Sequence, residues 1–555
     1  MTTILGMDVL SFLVVAPALA AVIMLLLPSE PKFIGRWVAL LLSLAIGAVA
    51  VAVFVSYDST AVGYQFEMKV PWFDLLGASW HVGIDGVSAV MVLLTGILTP
   101  LAVLVSWEIE DRVNMHMALI LFFATGLMGV FVALDLMIFF VFWELSLVPM
   151  YFLINQWGGP DREYASIKFI IYSLGGSLGF LLATQLIGWS VSQIPADAVL
   201  TLQQSTPALG GYVAGRPTFD MVYLGALWPT LADTIGGLFL GIDIATIKGL
   251  AFVAFFLAFA IKVPVWPFHT WLPDAHSEAP TAGSMLLAGA MLKLGAYGFL
   301  RLVIPFFPDV WVAPINVLGV FEANAAGIFA FLAMAGVVLG AFAAFSQDDI
   351  KRLVAYSSVN HMGFVVLGLA VTAQYYGETF VRGSSEMMQN AVLATNGAVL
   401  QMFNHGLSSA GMFLLAGAIA HKTHTRDMRE YGGLWVKAPI YGGIFIFTSM
   451  ASLGLPGLNG FVSEFLVVRG AWPVFTALTL IAMVGLLFTG SYILKGIRAV
   501  LHGPFNMKWR DYDLEIEARE VIAIAPLMVL MLVTGIIPNW IMPVINDSVV
   551  RILGG

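Results

Sequence analysis

The sequence predicts an all-α polytopic membrane protein, and three observations carry that expectation. Of its 555 residues, 60% are hydrophobic and only 11% charged, with a mean hydropathy of +0.92, far from the mix of a water-soluble domain. Windows of about 20 apolar residues, the length a helix needs to cross the hydrocarbon core, recur roughly fourteen times. Two of those windows are interrupted by proline and glycine, which a bilayer tolerates only where protein or water satisfies the freed backbone groups.

In chain order the windows fall near 9–28, 37–56, 84–105, 116–134, 136–155, 168–190, 247–265, 280–304, 317–345, 353–374, 392–420, 439–470, 473–494 and 520–543. The first lacks the basic flank of a signal peptide and carries Asp8 instead, so it reads as an uncleaved span. Lys32 and Arg36 follow it directly, which predicts a cytoplasmic first loop and an N-terminus outside. Carried through fourteen spans, that orientation puts sixteen Lys and Arg in cytoplasmic loops and leaves Lys69, Arg216, Arg382, Arg469 and Arg551 outside. The stretch 191–246, rich in Gly, Pro, Thr and Asp, reads as an external loop with a short surface helix. The stretch "HKTHTRDMREYGGLWVKA", 421–438, reads as a basic cytoplasmic loop, with partner docking or a metal site as the alternative.

The two interruptions are "AFAIKVPVWPFHTWLPDAHSEAP", broken by Pro264 and Pro267, and "GLPGLNGFVSEF", broken by Pro456, Gly457 and Gly460. They lie five spans apart, an odd offset that reverses orientation. The expected organisation is therefore two five-helix units in inverted topology, 113–305 and 306–500, preceded by spans 1–3 in 1–112 and followed by span 14 in 501–555. Paired broken helices in corresponding halves point to a transport site, against the plainer reading of chance prolines.

Composition also excludes functions. Cysteine is absent, so the chain offers no Cys-ligated iron–sulfur cluster, Cys-type zinc site or disulfide. Neither a G-x-G-x-x-G after a strand-like run nor a G-x-x-x-x-G-K-[ST] occurs, so no nucleotide site is expected. The expectation is a chain without cofactor or metal of its own and without a nucleic-acid partner. The net charge of −9 says little, because placement matters more than the sum.

The informative charges are those inside the windows, where a charge at mid-bilayer costs about 3 kcal/mol on insertion scales and marks function by default. "FFVFWELSLVP" carries Glu144; Lys262 precedes the first break; Lys293 sits in "AGAMLKLGAYGFLR"; His361 and His405 lie in "SSVNHMGF" and "FNHGLSSAG"; Glu464 follows the second break. Asp135 and Lys168 lie at window edges, and Lys248 and Arg301 sit near window ends, where long side chains snorkel. The bland readings are histidines as helix–helix hydrogen-bond partners and a static Glu144–Lys262 ion pair. Such pairs rarely improve on an apolar substitute. The functional reading is a proton relay, because ionisable groups that sense one another's charge titrate together.

These motifs, with "KVPVWPFHTWLPDAHSEAPTAGSMLLAGAMLKLGAYG", "DDIKRLVAYSSVNHMG", "HGLSSAGMFLLAG" and "HTRDMREYGGL", resemble the antiporter-like membrane subunits of respiratory complex I, most closely the subunit M (chain 4) family. The resemblance spans nearly the whole chain. It implies fourteen helices in inverted repeats, a Glu144–Lys262 pair, Lys293 central to the channel, Glu464 near the exit, and His361 and His405 on the polar axis. It implies proton translocation driven by redox chemistry in other subunits of an NADH (or other donor):quinone oxidoreductase. The expected partners are neighbouring antiporter-like chains and the lipid of the cell's inner membrane. Glu464, where the L, N and Mrp D chains usually carry lysine, and the chain's end at Gly555 without a long lateral helix favour the M branch. The segment 191–246 is longer than that family leads one to expect. The alternatives are an Mrp-type cation/proton antiporter subunit and a non-pumping membrane scaffold.

Overall fold

The computed structural model describes residues 3–4, 6–234, 237–317, 319 and 321–554. Residues 1 and 555, the outer limits of the first and last predicted units, and part of 191–246 and of the ninth window lie outside that description. Among the described residues twelve helices are long and apolar enough to cross a membrane, and each coincides with a predicted window. The other two windows are also helical: 392–420 lies within Met388–Thr423, and 439–470 is divided into Pro439–Leu453 and Asn459–Ala471. The chain is a multi-pass membrane protein.

Acidic residues flanking the apolar runs explain where the helices begin. Asp8, Asp85, Asp135, Asp243 and Asp349 each accept backbone N–H groups from the first turn of the helix that follows. An acidic N-cap satisfies donors that have no intrahelical partner and complements the positive helix terminus. Asp135, ambiguous from sequence, is thereby the cap of the helix that carries Glu144.

Three irregularities shape the interior. The fifth window bends at Ser146, between Leu136–Leu145 and Leu147–Trp157. Pro149 has no N–H to give to the Leu145 carbonyl, and the Ser146 hydroxyl bonds back to Trp143 O at 2.7 Å. The seventh window stops at Lys262 and resumes at Trp271–Glu278; the twelfth stops at Leu453, where Gly454 takes a φ of +82°, and resumes at Asn459. The eighth contains two π-helical turns, Leu287–Met291 and Phe299–Val303, on either side of Leu292–Gly298. Such turns open the backbone hydrogen-bond ladder and recur at functional sites.

The helices that carry the later titratable residues approach closely through small residues. A Cβ on Gly363 would stand 2.8 Å from Val337 N, and one on Gly397 would stand 2.6 Å from Val467 N. In lipid, where apolar contact alone does not drive association, such close approach supplies the van der Waals packing between helices.

Basic residues collect at one end of the bundle. There Lys32 and Arg36 meet Glu110, Lys168 and Arg352 share Asp274, and Arg426 bridges Glu278 and Asp349. The opposite end carries the antiparallel hairpin Gln65–Phe73/Ala78–Ile84. The stretch 191–246 packs there with helices Ala196–Ser205 and Met221–Leu227 and a two-residue-per-strand hairpin, more structure than the single surface helix expected. Lys248 and Arg301, near the ends of their spans, both find acidic partners. Lys248 is buried and bonds Pro229 O and Asp309, and Arg301, partly buried, pairs with Asp85.

Candidate proton path

Six side chains were expected to act together, and the structure sorts them into two groups. Lys293, His405, His361 and Glu464 form a near-continuous file. Lys293, fully buried on Leu292–Gly298, donates to Ala288 O, a carbonyl of the adjacent π turn, and lies 2.9 Å from His405 Nδ1. The ring centroids of His405 and His361 are 5.9 Å apart. His361 Nδ1 is 2.9 Å from Glu464 Oε1, and its Nε2 is 3.2 Å from both Ser452 Oγ and Tyr492 OH. All four residues are at most 5% exposed.

Hydrogen-bond chemistry gives this file a direction. A carboxylate only accepts, so His361 donates from Nδ1 to Glu464 and accepts at Nε2 from a hydroxyl. With the Lys293 ammonium donating to His405 Nδ1, the His405 ring carries its proton on Nε2, which has no partner among the described residues. His361 thus receives on one nitrogen and gives on the other, while His405 receives on Nδ1 and keeps its Nε2–H unbonded among the described residues. Gln401 Nε2 adds a second donor to Glu464 Oε1 at 3.1 Å, and Ser463 fixes Gln401 by donating to its amide oxygen at 2.5 Å. Asn404 and Asn459 each donate to the other's backbone carbonyl, tying the middle of Met388–Thr423 to the resumed half of the broken helix.

Glu144 and Lys262 form the second group, and they do not meet. Among the described residues no N···O contact within 4.0 Å joins them, and Glu144 Oε1 and Lys262 Nζ each lack a hydrogen-bond partner. The Lys262 ammonium instead lies over the Trp143 indole, 4.8 Å from the ring centre. Lys262 is the last residue of its helix, and Trp143 directly precedes Glu144 in the chain. A cation on an aromatic face at a dry site is worth about 2 kcal/mol. Among the described residues no hydrogen bond links this group to Lys293.

Sequence reasoning passed over several buried polar residues. His276, in the half-helix after the first break, is fully buried, stacks on Phe413 at 4.6 Å, and has neither ring nitrogen bonded among the described residues. Gln401, Ser452 and Tyr492 complete the partners of Glu464 and His361. The signal for His276 was present in "WLPDAHSEAP", a histidine in the second half of an interrupted apolar window. The other three are common polar residues whose role depends on packing alone.

Interrupted helices that bring buried acids, lysines and histidines to the middle of a membrane bundle define an ion-translocating class of membrane protein. The sequence model of the family described as NADH:quinone oxidoreductase/Mrp antiporter, TM, matches residues 133–209, 230–382 and 384–489, and the chain belongs to that family. It is 36% identical to NADH-quinone oxidoreductase subunit M of Pseudomonas aeruginosa over 98% of this chain and 97% of that protein. It is 37% identical to the subunit M of Escherichia coli K12 over 87% of this chain and 84% of that one. Among solved structures, a chain of respiratory complex I from Thermus thermophilus with bound NADH superposes with a TM-score of 0.76 at 26% identity, covering 98% of this chain and 100% of that one. A chain of the Mrp complex from Dietzia sp. DQ12-45-1b has the same fold, with a TM-score of 0.73 at 22% identity over 98% of this chain and 52% of that one.

Proposed function

We propose that the chain is a proton-translocating membrane subunit of a complex I-type quinone oxidoreductase, with electron transfer carried by other subunits. The observation that carries this reading is the hydrogen-bonded file Lys293–His405–His361–Glu464 on either side of a single 5.9 Å ring-to-ring gap. A proton on Lys293 passes to His405 Nδ1 while His405 releases its Nε2 proton toward His361. His361 takes a proton at Nε2 and gives its Nδ1 proton to Glu464. Lys293 then refills from the Glu144–Lys262 side, where both groups have an unsatisfied buried atom that local hydration would serve.

Glu144 and Lys262 act as a switch in this reading. Lys262 alternates in this reading between an ion pair with Glu144 and the Trp143 ring over which its ammonium lies. The two broken helices belong to inverted units 113–305 and 306–500, and the basic end of the bundle faces the cytoplasm, with the N-terminus outside the inner membrane. Neighbouring antiporter-like chains flank the bundle, as the relatives named subunit M imply.

The test is the assembled complex in sealed vesicles, with Glu144→Gln and Lys293→Ala variants. Both are expected to assemble, to lose proton pumping and to lose the turnover coupled to it. Full pumping by both variants would refute the reading, and sodium-dependent transport without quinone reductase activity would replace it with an Mrp-type antiporter.

A further inference from the structure

A groove of about 670 Å³ at the basic end of the bundle lies between the last turns of Thr476–Leu501, the end of Ala325–Phe345 and the loop 428–432. That volume falls within the roughly 300–1,000 Å³ range of small-ligand sites. Its walls combine apolar Phe345 and Leu494 with Arg429, Lys495, Arg498 and His502, and no acidic side chain lines it. Two of the cations are already engaged. Lys495 bonds Phe345 O, Gln347 O and Asp348, and Arg429 pairs with Asp427 and Asp348. Arg498 and His502 are exposed, and neither makes a side-chain ion pair or hydrogen bond among the described residues.

The helix surface leading to Arg498 says what chemistry fits. Leu480, Val484, Leu487, Ser491 and Leu494 are exposed at helical spacing along one face of Thr476–Leu501, and Arg498 continues that row by one turn. Phe342 and Phe345, both close to half exposed, run beside it, with Phe342 packed on Phe488 at 4.1 Å. A bilayer-facing apolar cleft therefore ends in a basic socket. Trp435, stacked near His502, stands at the rim where aromatic residues settle at the headgroup level.

We propose that this groove binds one anionic phospholipid, its phosphodiester on Arg498 and His502 and an acyl chain in the cleft along Leu487, Leu494 and Phe345. Charge complementarity and continuity with the lipid-facing row select a lipid over a soluble anion, and basic pockets between helices on this side of a bundle are suited to such headgroups. The site shares no side chain with the proton path.

The test uses the full complex extracted in mild detergent, with phosphatidylglycerol binding followed by native mass spectrometry. Arg498→Gln combined with His502→Gln is expected to weaken binding roughly tenfold, in keeping with the contribution of two basic residues near a headgroup. Leu494→Trp, which fills the cleft and keeps the charges, is expected to weaken it as well and carries the test if the charge variant does not assemble. Phosphatidylcholine binding should not distinguish the variants from the parent, and excess inorganic phosphate should not displace the lipid. Unchanged phosphatidylglycerol affinity in the variants, displacement by phosphate, or a photo-crosslinker at Leu494 that captures a neighbouring polypeptide instead of lipid would each overturn the proposal.

Discussion

Lys293 Nζ lies 2.9 Å from His405 Nδ1, although the two residues are 112 positions apart in the chain. The contact exists because a π turn before Lys293 presents Ala288 O to the ammonium while the long helix Met388–Thr423 brings His405 alongside. It couples a half of the bundle that contains the first broken helix to the half that contains the second.

His405→Ala removes the link between Lys293 and His361 and leaves a buried ammonium with one protein acceptor. A lost hydrogen bond to a charged group is worth about 1.5–3 kcal/mol, so proton pumping should fall by roughly tenfold or more with assembly preserved. Pumping rates in vesicles, normalised to complex content, check this.

Trp143→Leu removes the indole face from the Lys262 ammonium and should cost about 1–2 kcal/mol of stability, whereas Trp143→Phe should retain much of it. Thermal unfolding of the purified complex measures the difference.

Arg426→Ala removes the guanidinium paired with Glu278, whose side chain is only 7% exposed and keeps the Asp161 N–H as donor, at the end of the first broken helix. Breaking a buried pair from one side costs roughly 3 kcal/mol or more, and Arg426→Lys should recover part of it. Protease sensitivity of the 421–438 loop and thermal midpoint report both effects.

His81 on the outer hairpin sits between Asp220 at 2.9 Å and Glu67 at 2.8 Å, with Lys69 directly opposite it in register and also bonded to Asp220. Burial alone would lower its pKa, but the hydrogen bonds and charges of Asp220 and Glu67 outweigh burial and the repulsion of Lys69, and the imidazole is raised above its ordinary 6.5. A raised folded pKa contributes stability that is fully present below the unfolded value and lost as pH rises through the folded one. Hydrogen-exchange protection of the hairpin should therefore fall as pH climbs above about 6.5. His81→Gln should flatten that dependence.

Much of this architecture is legible in the sequence because lipid imposes simple rules. Apolar length located the spans, Pro264, Pro267, Pro456 and Gly457 located the breaks, and the rarity of charge in apolar runs singled out Glu144, Lys262, Lys293 and Glu464. What stayed hidden depends on packing. Nothing local distinguishes Gln401 or Tyr492 from other polar residues, the π turns flanking Lys293 follow from tertiary contacts, and the bend at Ser146 needed Pro149 to be read as an unfilled donor position. The partners of Lys248 and Arg301, Asp309 and Asp85, lie far off in sequence and could not be read locally. Glu144 and Lys262, the pair implied by family resemblance, stand more than 4.0 Å apart, with the ammonium over Trp143.

The central claim is that Lys293, His405, His361 and Glu464 act in series. Groups acting as one unit are strongly non-additive, so a double-mutant cycle of His405→Ala and Glu464→Gln, read as proton-pumping rate of the assembled complex in sealed vesicles, tests it most directly. The account predicts that the double variant pumps no more slowly than the slower single variant. Multiplication of the two single effects, or undiminished pumping in either single variant, would contradict it.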